Sequence, residues 1–310
     1  MNVAVDPLSV LAITHGTDKY GGHFYTPIYD ELLRHRRNEP LRVLELGVGG
    51  YDARDAGGAS LRMWADYFPR AVVVGVDVVD KSSIDFGPLA SRILVRTGSQ
   101  NDVAFLARLC DELGPFDVVV DDGSHDPADH VVSFEALFPR LADGGLYVIE
   151  DTQTAFWPRF GGDVGGAATM SLAARLLRAL HHDEIRAVDA TQAAALAPLS
   201  SSLRSVRAFH NLLIVEKGRP EPSCFTFSHQ NADARRALDA INAVVAAAPT
   251  PGAMTSQAIM HAAVGDVARA AAILDDAIAR FGATPDLALM RTWLNGPPPF
   301  ADVARAKSAV

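Results

Sequence analysis

The stretch FDVVVDDGSH, residues 116–125, decides how this chain is read. Val118 to Val120 make a short apolar run, the pattern of a strand buried on both faces. The run ends in two adjacent carboxylates, Asp121 and Asp122, then passes through Gly123 and Ser124 to His125. Asp126 follows as a helix N-cap, with Pro127 at the first helical position, where its missing N–H is harmless. The unit is therefore strand, turn, helix. Its ionisable side chains gather at the end of the strand, where open parallel sheets bind ligands.

The same alternation extends in both directions. RVLELG (42–47) reads as a first strand, AVVVGVD (71–77) as a second, RILV (92–95) as a third and LYVIED (146–151) as a fifth. Between them, SLRMWADYF places Leu61, Trp64 and Phe68 on one helical face, and DVAFLARLCDEL does the same with Phe105, Leu106 and Leu109. A further helix is expected near 167–180, and SLRSVRAFHNLLIVEKG reads as two strands joined at His210-Asn211. Strands alternating with helices predict an α/β fold with helices on both faces of a mostly parallel sheet. The last tight pair predicts an antiparallel edge hairpin. From about residue 226 the chain turns alanine-rich and helical in period, so a domain over 1–225 is expected to precede a helical segment over 226–310. Within that segment SQAIMHAAVGDVARAAAILDDAIARFG resembles a tetratricopeptide-type hairpin turned at Gly265-Asp266. One hairpin cannot bury both its faces, so it is expected to pack on the main domain or on a second copy, giving a homo-oligomer.

Bulk composition narrows the function. A formal net charge of −9 speaks against a nucleic-acid partner, which calls for a basic patch. No apolar run approaches the roughly 18 residues of a membrane span. MNVAVDPLSV lacks a basic region followed by an apolar run, so no export signal is expected. Two cysteines are too few for a disulfide framework. A cytoplasmic protein is the simplest expectation.

LELGVGGY (44–51) follows the first strand. Gly47 and Gly49 let backbone approach a ligand in the turn that runs to Tyr51. Asp77, closing the second strand, is placed to accept both hydroxyls of a ribose. A dinucleotide turn normally reads G-x-G-x-x-G and enters its helix at once. Here about ten small or polar residues intervene, and Glu45 would repel pyrophosphate. A ligand with an adenosine, an ammonium group and no phosphate fits better, and S-adenosylmethionine is such a ligand.

Asp121 and Asp122 end the fourth strand, and Glu150 and Asp151 the fifth. Four carboxylates meeting on one sheet edge repel one another unless a cation compensates them. Mg²⁺ suits oxygen ligands and retains open positions. Asp122, Glu150 and Asp151 are assigned to it, leaving Asp121 nearer the cofactor. His125 then stands beside the metal as a general base near neutral pH. His23 and His130 are expected to be structural or to touch substrate at most.

HGTDKY, HFYTPIYDELL, LELGVGGY, GGASLRMWADYFP, GVDVVDKS, GSQND, FDVVVDDGSH, LFPRLADGGLYVIEDTQT and FWPRFGG, in this order, resemble the metal-dependent sugar O-methyltransferases of macrolide biosynthesis, of the mycinamicin and tylosin type. The resemblance covers about residues 14–162 and continues more loosely to 218. It implies a seven-stranded, Rossmann-like class I methyltransferase fold, S-adenosylmethionine as donor and Mg²⁺ as cofactor. It also implies metal ligands at Asp122, Glu150 and Asp151 and a base at His125, matching the assignment from the residues themselves. By the same resemblance HGTDKY folds over the cofactor, making Thr17, Asp18 and Tyr20 site candidates, and Ser99 and Gln100 flank the adenine. Tyr25, Thr152 and Trp157 are candidate substrate contacts. Trp157 reads equally as a flat face for a sugar or as an aromatic anchor of its loop. The expected reaction is methyl transfer to a deoxysugar hydroxyl of a small-molecule glycoside. The alternatives are a catechol or other vicinal-diol acceptor, and a cofactor-binding scaffold without turnover. In this chain the family motifs begin within the first twenty residues, and the added unit is the C-terminal helices.

Overall fold

The computed structural model describes residues 5–219 and 234–294. The chain divides into two compact units, one of residues 1–180 and 196–220, the other of 181–195 and 221–310. The boundary expected near 225 lies outside the described residues.

The first unit is built on a seven-stranded sheet. Its strands are β1 (Arg42–Leu46), β2 (Val72–Asp77), β3 (Ile93–Thr97), β4 (Val118–Asp121), β5 (Leu146–Ile149), β6 (Leu203–Phe209) and β7 (Leu212–Lys217). They lie in the order β3-β2-β1-β4-β5-β7-β6. The first five are parallel, and β7 runs antiparallel to both β5 and β6. The edge hairpin turns at His210-Asn211, as the sequence predicts. Asn211 supplies the positive φ of 64° that such a tight turn requires. Chain order reverses between β1 and β4, and that switch point opens a crevice at the strand ends.

Valine and isoleucine fill the central strands because both faces are covered. On one face Val43, Val73, Val118, Val120 and Val148 join a core with α1 (Pro7–His15), α2 (Thr26–Leu33) and α3 (Ala59–Tyr67). Leu61, Trp64 and Phe68, read from the sequence as one helical face, are all fully buried there. On the opposite side Phe134 of α5 (Pro127–Leu137) meets Tyr147 edge to face at 5.2 Å. Asp126 caps α5 by accepting from the Ala128 N–H at 2.8 Å. α4 (Val103–Leu113) and α6 (Ala167–Leu180) complete this unit's larger helices.

Two features depart from the sequence reading. α1 shows no polar stripe along PLSVLAITH, so period alone does not reveal it. Two more helices, α7 (His182–Val188) and α8 (Ala190–Ser200), precede the edge hairpin.

In the second unit α9 (Ala234–Ala247), α10 (Pro251–Ala263), α11 (Val267–Phe281) and α12 (Pro285–Leu294) follow in order. Met254 and Ala258 pack with Ala270, Ile273, Leu274, Ala277 and Leu287 in a small core. Asp266 caps α11 by accepting from the Arg269 N–H at 3.0 Å, after a turn at Gly265 with φ 90°.

Candidate functional site

Sheet register places the acids. Leu46 pairs with Asp121, and Asp121 pairs with Ile149. The next residues, Gly47, Asp122 and Glu150, therefore leave the sheet together on one edge.

A cleft opens over that edge. Thr17, Asp18, Gly47, Gly49, Tyr51, Asp77, Ser99, Gln100, Asp122, His125 and Asp151 are among its lining residues. Most residues expected to hold the cofactor are thus gathered in one place. Asp77 is tethered by two backbone donors, the N–H of Val48 at 3.1 Å and of Val79 at 2.9 Å. Gly47 has φ 93°, and a Cβ there would lie 2.2 Å from the Asp122 carbonyl oxygen. Its role includes letting β1 and the end of β4 approach, not only a ligand. Gly49 has φ 76° and open space around its missing Cβ.

Three expected cofactor contacts are placed elsewhere. Glu45 is fully buried and faces Lys19 and Trp64, not the cleft. The ammonium that a carboxylate here was expected to find on a ligand belongs to Lys19. Asp121 is also fully buried, accepting from Gln100 Nε2 at 3.0 Å, Tyr147 Oη at 3.0 Å and Ser133 Oγ. Successive residues of a strand face opposite sides, so Asp121 points away from the side that Asp122 serves. It positions Gln100, whose Oε1 accepts from the Ser124 N–H at 2.6 Å. Tyr20 packs edge to face on Phe24 at 5.3 Å and is not among the residues of the cleft wall.

Lys19 was not anticipated. Its ammonium, 1 % exposed, lies 2.7 Å from Asp122 Oδ2, 2.7 Å from Glu150 Oε2 and 3.2 Å from Glu45 Oε1. Tyr29 closes the far side of Glu150 by donating to Oε1 at 2.6 Å. Burial alone would strip the Lys19 proton, but Asp122, Glu150 and Glu45 outweigh it and hold the ammonium well above its ordinary value. Burial pushes Glu150 up to about 8, against the pull of Lys19 and with help from Asp122. Burial raises Glu45 too, partly offset by Lys19. The signal in the sequence was a sum: so many acids at one edge need compensation, and HGTDKY carries a lysine.

Asp122, His125 and Asp151 offer ligand atoms that all lie within 4.8 Å of one another. His125 and Asp151 both have positive φ, 58° and 53°, so local backbone strain aims them at this point. His125 Nε2 is 3.8 Å from Asp151 Oδ2. Its Nδ1 is buried and without a hydrogen-bond partner among the described residues. Tyr25 Oη donates to Asp151 Oδ1 at 2.6 Å, and Gln153 Nε2 does so at 3.1 Å. Burial would raise Asp151, yet these donors and the nearby His23 and His125 hold it below the usual carboxylate range. Two carboxylates and an imidazole around a common point fit a hard divalent ion through their oxygens. Glu150, expected as a third carboxylate ligand, is not part of this group: it is buried, and its oxygens accept from Lys19 and Tyr29. A carboxylate has about four acceptor sites, so its two bonds leave it capacity toward a cation.

The residues expected to touch substrate divide. Tyr25 is 3 % exposed and serves Asp151, stacked against His23 at 4.8 Å. Thr152 is 7 % exposed and donates its N–H to the Asn211 carbonyl at 3.2 Å. Trp157 is 41 % exposed, with the Arg159 guanidinium 4.9 Å from its ring. Phe160 beside it meets His125 edge to face at 5.9 Å. His130 is buried against Thr169 Oγ1 at 3.0 Å, a structural placement. A second unanticipated lysine, Lys81, is fully buried and donates to the carbonyls of Tyr51, Ala53 and Ala56 at 2.6, 2.7 and 3.3 Å. It ties down the loop that carries the cleft's glycine turn.

Strand order, crevice and glycine turn together define a class I S-adenosylmethionine-dependent methyltransferase fold. The chain is homologous to deoxysugar O-methyltransferases. Mycinamicin VI 2''-O-methyltransferase of Micromonospora griseorubida is 43 % identical over 217 residues, 68 % of this chain and 53 % of that protein. 8-Demethyl-8-(2-methoxy-alpha-L-rhamnosyl)-tetracenomycin-C 3'-O-methyltransferase of Streptomyces olivaceus is 41 % identical over 225 residues, 71 % of this chain and 56 % of that one. The chain thus spans about half the length of the curated relatives it matches. Among solved structures, MycE methyltransferase of the mycinamycin pathway in complex with Mg and SAH superimposes with a TM-score of 0.62 at 40 % identity, over 71 % of this chain and 57 % of that one. No family model matches the chain.

Proposed function

We propose that this protein transfers a methyl group from S-adenosylmethionine to a hydroxyl of a deoxysugar on a glycosylated small molecule, with Mg²⁺ as cofactor. The observation that carries this reading is the meeting of Asp122, His125 and Asp151 at the mouth of the cofactor cleft. Relatives at 41 % and 43 % identity are O-methyltransferases named for a rhamnosyl tetracenomycin and for mycinamicin VI.

In this reading Asp122, Glu150 and Asp151 hold Mg²⁺. When bound, the ion supplies Lewis-acid polarisation and a template for adjacent hydroxyls. An alcohol keeps its proton at neutral pH and is a poor nucleophile until a base takes that proton. His125 is that base. Mg²⁺ prefers oxygen, which leaves the imidazole free for the proton. As the imidazole becomes imidazolium, Asp151 stabilises the new charge at 3.8 Å. Tyr25 and Gln153 keep Asp151 ionised for that task. Thr17, Gly47, Gly49, Tyr51, Asp77, Ser99 and Gln100 bind and orient the donor, placing its methyl in line with the incoming oxygen. Trp157 and Phe160, on the same side as His125, offer flat apolar faces to a sugar ring.

We further propose a homo-oligomer, tested by light scattering. Among the described residues no helix is long and apolar enough to cross a membrane.

The deciding experiment incubates the protein with S-adenosylmethionine and a panel of rhamnosides, other deoxysugar glycosides and catechols, with and without Mg²⁺. The expected result is a methyl mass gain on a glycoside that needs Mg²⁺. Methylation of catechols alone would replace the sugar assignment. Cofactor binding without turnover of any acceptor would replace catalysis by a scaffold role.

A further inference from the structure

Lys19 donates to Asp122 after β4 and to Glu150 after β5, and forms an ion pair with Glu45 in β1, whose Oε1 has no hydrogen-bond partner among the described residues. Lys19, Glu45 and Glu150 are almost fully buried, so solvent screens these charges little. Asp151, which offers a ligand atom within 4.8 Å of one on Asp122, extends the cluster outward to four carboxylates, a total charge that matches two divalent ions. The tethered ammonium already stands at the inner position. Tyr29 caps the remaining oxygen of Glu150, and Trp64 Nε1 occupies the second oxygen of Glu45 at 3.0 Å. Open acceptor capacity is thereby left on the outward side, where Asp122 and Asp151 face His125.

We propose that Lys19 takes the place of a second cation, fixing Asp122 and Glu150 and holding the site to one divalent ion. Lys19 acts through the carboxylates and touches neither donor nor acceptor, so it is a positioning residue. The inference rests on the metal reading above. Charge balance carries it: four carboxylates, one ammonium and one divalent ion leave a single negative charge. Removing the ammonium leaves two, together with an emptied polar recess bounded by Glu45 and Glu150.

The test counts tightly retained Mn²⁺ by electron paramagnetic resonance after gel filtration at pH 8. Wild type is expected to keep one isolated ion per chain. K19M is expected to keep two, with the dipolar broadening of a close pair, and K19R, which preserves the charge, is expected to keep one. The double variant K19M/E45Q restores the wild-type charge sum. It is expected to keep one ion; K19Q, which removes the charge but keeps a polar side chain, is expected to keep two and stands in should K19M fail to fold. Two coupled ions in wild type, one ion at unchanged affinity in folded K19M, or two in K19M/E45Q would each overturn the role of Lys19 while leaving a metal site intact. No retained Mn²⁺ in wild type would instead remove the metal reading, and this inference with it.

Discussion

Lys19 Nζ and Asp122 Oδ2, 103 positions apart in the chain, meet at 2.7 Å. The contact ties the segment after α1 to the end of β4. Gly16, Thr17 and Asp18 of that segment line the cleft. The wall facing the cofactor and the acid cluster are therefore one mechanical piece. A change in either is felt by the other through this half-buried ion pair, in which the Lys19 side chain is 1 % exposed.

His125 carries the proposed proton transfer. His125→Ala is expected to lower kcat by about 10²–10⁴-fold, the usual worth of general-base help. Calorimetric affinity for S-adenosylhomocysteine should stay at the wild-type value, because the proposed donor contacts are other residues of the cleft. Full turnover in the variant would remove His125 from the mechanism.

Tyr25 reports on Asp151. Tyr25→Phe deletes the 2.6 Å bond to a carboxylate. A hydrogen bond to a charged group is worth about 1.5–3 kcal/mol, so the midpoint of chemical denaturation should fall accordingly. The sign on pH is fixed by the depressed Asp151 value. Its contribution to stability is present above the ordinary carboxylate value of about 3.9 and is lost as pH falls through the lower folded value. In Tyr25→Phe the contribution should be smaller, and its loss should be complete at a higher pH. Identical acid unfolding curves for both proteins would contradict the assignment.

How much of this was legible follows from period and charge. The five parallel strands, the edge hairpin and the acids at the strand ends were readable, because buried strands form short valine-rich runs bounded by turns. β3 slid by one to two residues, as ends of elements do. What period cannot show is which way a carboxylate turns once the strand stops. Asp121 and Asp122 are neighbours in sequence, yet one faces Tyr147 and Ser133 and the other Lys19. Nor does a lone lysine in a polar segment announce that it is buried. Lys19 and Lys81 became visible only when the fold supplied their partners. Acids gathered at one sheet edge need compensation, and the sequence alone points to a metal ion for it; in the fold part of it is the Lys19 ammonium of the chain itself.

Glu150 should make the metal-free protein less stable as pH rises. Its folded value is raised to about 8, so its contribution is complete below the unfolded value of about 4.3 and is lost as pH climbs through about 8. Lys19 titrates above this window and does not mask the effect. Thermal unfolding in a chelator is expected to show Tm falling between pH 6 and pH 9, and falling less in Glu150→Gln. Excess Mg²⁺ should raise Tm more at the alkaline end, since binding is favoured once the ligands have lost their protons. A Tm that ignores both Mg²⁺ and pH across this range would count against the acid cluster as a cation site.

The two glycines of the turn should separate packing from ligand approach. At Gly47 an added methyl meets the Asp122 carbonyl at 2.2 Å, a backbone atom that cannot swing away, and φ is 93°. Gly47→Ala is therefore expected to cost several kcal/mol, in the range of about 3–5 kcal/mol that marks severe core damage. At Gly49 the φ of 76° is again unfavourable, but nothing stands near the missing Cβ. Gly49→Ala should cost only about 1 kcal/mol of stability, the usual left-handed penalty. Its larger effect should fall on the cofactor, whose dissociation constant should rise at least tenfold if backbone and ligand approach closely there. Equal stability losses in the two variants, with cofactor affinity unchanged in Gly49→Ala, would show that the turn is a folding device and that the donor lies elsewhere in the cleft.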